Sequence, residues 1–171
     1  MFPAPLVAEA ERLLADLRQR GLKLATAESC TGGLIVAVLT EIAHASEVVD
    51  RGFVTYTNDA KMEMLGVSGQ NLGAFGAVSR EVAIAMAEGA LVHSSADLTI
   101  AVTGLAGPGG GTALKPVGLV HLAAARLGAK TAHQECRFGS LNRSDIRLKS
   151  IEAALALVRL AMDPSLEAGA E

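Results

Sequence analysis

The chain has 171 residues, half of them hydrophobic, and a formal net charge of −3, with 18 acidic against 15 basic side chains. The Lys and Arg residues are scattered and form no basic face, which argues against nucleic-acid binding. The longest apolar run, Leu34–Leu39, is far too short to span a bilayer, which argues against a membrane protein.

The length fits one domain, residues 1–171. Aromatic residues make up 3% and Trp is absent, so the core must be built from Ala, Val, Leu and Ile, which lets helices and sheet approach closely. Two distant cysteines, Cys30 and Cys136, make neither a disulfide framework nor a C-x-x-C metal motif. The first eleven residues lack the basic and apolar regions of a signal peptide. The expectation is a soluble protein of a reducing compartment, the cytoplasm, that needs no metal and no cofactor.

Leu6, Ala10, Leu13 and Leu17 recur at helical spacing, and Gly21 stands where that helix would end. Leu22–Ala27 reads as a short buried strand and Leu34–Ile42 as a buried helix. Between them lies the polar turn Glu28-Ser29-Cys30-Thr31-Gly32-Gly33. A hydroxyl or thiol at a strand-to-helix turn sits beside unpaired backbone N–H groups and the positive end of a helix dipole. Those donors could stabilise an oxyanion or hold a phosphate. A plain helix cap through Ser29 or Thr31 explains the same residues equally well. Either Ser29 or Cys30 could be a nucleophile, and spacing alone does not choose between them.

Arg51–Tyr56 reads as a strand, and Asn58 caps a short helix that Gly66 stops after Leu65. Tyr56, the single tyrosine, and Lys61 would then converge from a strand end and a helix start. A lysine with a lowered pKa can activate a serine, directly or through a tyrosine hydroxyl. The commoner fate of such residues is a packed tyrosine and a solvated lysine. Ser79 caps a helix to about His93, and Asp97–Thr103 is a strand feeding the glycine-rich segment Gly104–Thr112. Thr103 and Gly104 thus stand where α/β sheets bind ligands. Gly110-Gly111 replaces the Lys and Ser/Thr of a Walker A loop, and a strand follows where a dinucleotide fingerprint needs a helix. The segment could be a lid.

Pro116–Ala125 and Thr131–Phe138 read as two antiparallel strands joined at Leu127–Lys130. Asn142 with Asp145 resembles a capping box. Leu148, Ile151, Leu155, Val158 and Met162 stripe the last helix, and a frayed tail is expected over about 163–171. Arg143, in the first turn, could pair with a phosphate. The four histidines have no ligand-like spacing and read as structural. The order of elements favours a three-layer α/β domain with a mixed sheet.

Six segments together resemble the CinA C-terminal domain family, the nicotinamide-nucleotide amidases also called PncC. They are Thr26 to Gly33, Gly52 to Tyr56, Asn58 with Ala60-Lys61, Gly76 to Ser79, Gly104 with Ala106-Gly107-Pro108, and Lys115 to Gly118. The resemblance implies an α/β/α sandwich that hydrolyses nicotinamide mononucleotide to nicotinic acid mononucleotide and ammonia. It implies catalytic Ser29, Tyr56 and Lys61, with Ser29 rather than Cys30 as nucleophile. It implies substrate contacts at Thr31, Gly32, Thr103 and Arg143, with Cys30, Gly33 and Gly104 beside them, and a homo-oligomer. Thr57 and Asp59 stand where the family often has Ser and Glu. Many members carry a further N-terminal domain that this chain is expected to lack. A non-catalytic nucleotide-binding domain linked to competence or DNA damage is the alternative.

Overall fold

The computed structural model describes residues 1–163, and the tail expected to fray lies outside them apart from Asp163. Helix α1 (Ala4–Gln19) buries Leu6, Ala10, Leu13, Leu14 and Leu17, and Gly21 follows with φ +64°. Strand β1 (Leu24–Glu28) leads to α2 (Leu34–Thr40), a 3-10 turn (Ala45–Glu47) and β2 (Val49–Val54). Then come α3 (Asn58–Leu65), α4 (Gly69–Phe75), α5 (Arg80–Val92), β3 (Leu98–Gly104), β4 (Leu119–Arg126), β5 (Ala132–Arg137) and α6 (Arg143–Ala161).

The five strands form one mixed sheet in the order β2-β1-β3-β4-β5. Pairings β1–β2 and β1–β3 are parallel; β3–β4 and β4–β5 are antiparallel. Side chains of β3 alternate between two cores. Leu98, Ile100 and Val102 face α1, α2 and α6, while Ala101 joins the cluster under α3, α4 and α5. On that second face Ala27, Ala101, Ala123 and Ala125 of the sheet meet Ala83, Ala87 and Ala90 of α5. Small side chains bring helix and sheet together, as the composition implied.

The expected three-layer α/β/α arrangement therefore holds, with local differences. Strand β2 ends at Val54, not Tyr56: its partner β1 ends at Glu28, and the bond from Thr55 N–H to the Glu28 carbonyl at 2.8 Å is the last rung between them. Strand β4 starts at Leu119 because Pro116–Gly118 makes a turn, with Leu119 N–H on the Pro116 carbonyl at 3.1 Å. The cap of α3 is Thr57, whose hydroxyl accepts from Ala60 N–H, and Asn58 is the first helical residue. Helix α4 was not expected, since Gly69 and Gly73 weaken helix propensity; Ser68 starts it by capping Asn71 N–H.

Chain direction creates the crevice. From β1 the chain passes through α2 to β2 on one side. It then returns through α3–α5, on the opposite face, to β3 on the other side of β1. The carboxyl ends of β1 and β3 thus flank a topological switch point, where α/β sheets bind ligands.

One structural pair makes a stability prediction. His121 of β4 and His133 of β5 lie on one face with Nδ1 and Nε2 3.0 Å apart. Burial, above all, pushes both pKa values below the ordinary 6.5. The unfolded chain therefore takes up protons first as pH falls. The associated stability is complete above about pH 6.5 and is lost as pH drops through the folded values. The urea midpoint should fall from pH 7.5 to pH 5, and H121Q should flatten that fall.

Candidate active site

Glu28 organises the turn after β1. Its buried side chain accepts from the N–H groups of Gly33, Ile35 and Val36 at 3.1, 2.9 and 2.9 Å. It also accepts from the hydroxyls of Thr26 and Thr31 at 3.1 and 2.7 Å. The carboxylate thus occupies the N-terminus of α2, satisfying donors a helix leaves free and meeting the positive end of its dipole. Gly33, at φ +93°, is the cap residue and offers no side chain for the task. A sequence signal existed: an acid lying just before a glycine-ended turn and a helix.

This arrangement corrects the expected role of the turn. Thr31, Gly32 and Gly33 do not line the cleft. The Thr31 hydroxyl is spent on Glu28 and its carbonyl accepts from Arg147 Nη2 at 2.8 Å. Gly32 N–H returns to the Ser29 carbonyl at 3.1 Å, and Gly33 N–H goes to Glu28. Of the turn's N–H groups, that of Cys30, which lines the cleft, remains for an oxyanion. Replacing Glu28 by Ala would orphan three N–H groups and two hydroxyls. E28A should lose about 3 kcal/mol or more of unfolding free energy, read from urea denaturation.

Ser29 is anchored by its N–H to the Val102 carbonyl of β3 at 3.0 Å. Its Oγ lies 3.0 Å from Nζ of Lys61. Lys61 comes from the second turn of α3 and is only 1% exposed. Its amine also reaches the Thr55 carbonyl at 2.8 Å and the Thr57 carbonyl at 3.5 Å. Among the described residues no carboxylate pairs with it. Burial therefore drives its pKa down, with the nearby Cys30 a smaller, opposing influence. Lys61 is not the solvated lysine that its residue type ordinarily suggests.

Cys30 is adjacent but differently placed. Its side chain belongs to the core under α1, α2 and α6. Burial pushes its thiol pKa up to about 12, so the thiolate needed for attack is scarce at neutral pH.

A cleft of about 240 Å³ opens above the Ser29–Lys61 pair. Ser29, Cys30, Tyr56, Lys61, Thr103, Gly104 and Arg143 all line it, so the structure gathers seven of the ten expected site residues. Ala77 and Val78 form one wall, and Leu105 to Gly107 of the glycine-rich segment another. The sequence pointed to no role for Ala77 and Val78, whereas Leu105 to Gly107 belong to the segment read as a lid.

Thr103 holds a wall rather than offering a free hydroxyl: its Oγ donates to the Ala77 carbonyl at 2.8 Å. Lys115 supports the same wall, donating from Nζ to the Phe75 and Val78 carbonyls at 2.6 and 2.7 Å. Gly104 must be glycine, because a Cβ would stand 2.7 Å from Val120 Cγ2 and 2.9 Å from the Leu119 carbonyl. Tyr56 is 59% exposed. Its hydroxyl accepts from Arg143 Nη2 at 3.0 Å, and Arg143 Nη1 donates to the Gly107 carbonyl at 2.8 Å. No hydrogen bond joins Tyr56 to Ser29 or Lys61.

The sequence matches the CinA C-terminal domain family over residues 7–162. A crystal structure of the competence/damage inducible protein CihA from Agrobacterium tumefaciens superposes with TM-score 0.93 at 53% identity, covering 95% of this chain and 99% of that one. A competence-damaged protein (CinA) superfamily protein from Escherichia coli gives TM-score 0.86 at 34% identity, covering 93% and 92% of the two chains. A CinA-like protein of Akkermansia muciniphila is 50% identical over 154 residues, 90% of this chain and 37% of that protein. The chain thus spans about a third of the length of such curated relatives.

Proposed function

The chain belongs to the CinA C-terminal domain family, and on that premise we propose that it is a serine amidohydrolase that deamidates nicotinamide mononucleotide. The observation that carries this reading is the buried Lys61 amine 3.0 Å from the Ser29 hydroxyl, without a carboxylate partner among the described residues. A neutral amine is a general base, and a serine needs one. The substrate itself comes from the family resemblance.

In this mechanism Ser29 donates its proton to the unprotonated Lys61 Nζ while Oγ bonds to the carboxamide carbon. The developing oxyanion meets the N–H group of Cys30. Collapse breaks the C–N bond, and Lys61 returns the proton to the leaving nitrogen, which departs as ammonia. Water, deprotonated by Lys61, then cleaves the acyl–Ser29 ester and releases nicotinic acid mononucleotide. Tyr56, the third catalytic residue that the resemblance implies, stands at the cleft rim bonded to Arg143. Arg143 and the glycine-rich segment take the ribose-phosphate end, since Arg143 is the charged lining residue other than Lys61. Among the described residues no helix is long and apolar enough to cross a membrane. Both cysteines are free, which suits a reducing cytoplasm. By the resemblance, the protein works as a homo-oligomer.

The test is to incubate the protein with nicotinamide mononucleotide and quantify both products. Ammonia and nicotinic acid mononucleotide should accumulate one for one. Tight binding without either product would instead support a non-catalytic nucleotide-binding domain.

A further inference from the structure

The hydroxyl of Tyr56 is held away from the chemistry by the residue best suited to hold the substrate's charge. Arg143 Nη2 donates to Tyr56 Oη at 3.0 Å and its Nη1 to the Gly107 carbonyl at 2.8 Å. Both side chains lie on the exposed rim of the cleft whose floor carries Ser29 and Lys61. A guanidinium engaged by two neutral acceptors is under-used, because a phosphate dianion would accept from the same two N–H groups through charge-assisted bonds. Such a ligand would take Arg143 from Tyr56 rather than add to the existing pair.

We propose that Arg143 is a specificity-determining residue. A phosphate dianion captures its guanidinium, releases the Tyr56 hydroxyl, and allows Tyr56 to turn toward Ser29 and Lys61. This rests on the amidase reading of the site and deepens it. The phosphate is more than an anchor: it completes the catalytic group. Without it, Arg143 keeps Tyr56 at the rim, and an amide that enters the cleft meets Ser29 and Lys61 alone. A ligand shifts such an equilibrium only through differential affinity, and the dianion has it, since it competes directly for the atoms that hold the closed-off arrangement. The Gly107 carbonyl is freed in the same exchange, so the adjoining glycine-rich wall can settle on the ligand.

The consequence separates from simple phosphate binding. An anchor that only holds substrate lowers KM, whereas one that assembles the site raises kcat. The test uses the dephosphorylated substrate, the nicotinamide nucleoside, with and without inorganic phosphite as a detached dianion. In the wild type, phosphite should raise kcat for the nucleoside by about tenfold or more, a barrier change of about 1.4 kcal/mol. The stimulation should vanish in R143M, which cannot capture the dianion, and in Y56F, which has no hydroxyl to release. Both side chains are exposed, and urea midpoints will confirm that the variants fold. Absence of stimulation in a wild type that hydrolyses the nucleotide normally would overturn the proposal, as would stimulation that persists in either variant. A wild type that leaves the nucleotide itself intact would overturn the amidase reading, and this inference with it.

Discussion

Replacing Ser29 with Ala should lower kcat for amide hydrolysis by about 10⁴-fold or more, the scale seen when a catalytic nucleophile is removed. The protein should remain folded, because the position is held by its main chain: Ser29 N–H bonds to the Val102 carbonyl and the Ser29 carbonyl accepts from Gly32 N–H. The paired control is C30A. That thiol sits in the core and its pKa is pushed up to about 12. Its removal should leave kcat within about threefold, less than the tenfold that 1.36 kcal/mol represents. Some stability should be lost, since a buried side chain is truncated. Steady-state ammonia release by the three proteins checks both expectations. If C30A is inactive and S29A retains turnover, the nucleophile is the neighbouring thiol.

The second large effect belongs to Lys61 and appears as pH dependence. The amine is active only when unprotonated, and burial lowers its pKa from the ordinary 10.5. kcat/KM should therefore rise about tenfold per pH unit until the folded pKa is passed, then level off. K61M should abolish turnover at every pH. The same shift links to stability. Between the folded pKa and 10.5 the unfolded chain holds a proton that the folded chain does not. Folding stability then rises with pH by about 1.4 kcal/mol per unit, and the contribution is complete above 10.5. As pH falls through the folded pKa that contribution is gone. The wild type should thus gain on K61M in urea unfolding as pH is raised from neutral to alkaline. A flat rate profile, with parallel stability curves for the two proteins, would remove the neutral-lysine base.

Much of this architecture was legible in the sequence because it is local. The stripe on α1, the caps Ser79 and Asn142, and the stop at Gly66 are properties of a few adjacent residues. The convergence anticipated from a strand end and a helix start was that of Tyr56 with Lys61, and both line the cleft, while Ser29 joined them only through the family resemblance. What the sequence did not disclose depends on partners far along the chain. The end of β2 is decided by its partner β1, which ends at Glu28. The withdrawal of Thr31 and Gly33 from the cleft is the local exception, since Glu28 lies only three and five residues before them and fills the end of α2. Thr103 reads as a ligand contact in one dimension, but in three its hydroxyl is occupied by Ala77. Lys115 supports a segment about 40 residues earlier, a relation that no spacing rule contains. Each of these residues was conspicuous in sequence, and what changed was the atom it serves.

The most direct test of the account is to trap the acyl-enzyme. Wild-type protein mixed with nicotinamide mononucleotide should be quenched in acid within a single turnover, and its peptides weighed. The account predicts a nicotinoyl-nucleotide ester on Ser29, and added hydroxylamine should divert the same species to a hydroxamate. An adduct on Cys30, or normal turnover in which neither an adduct nor a hydroxamate ever forms, would contradict it.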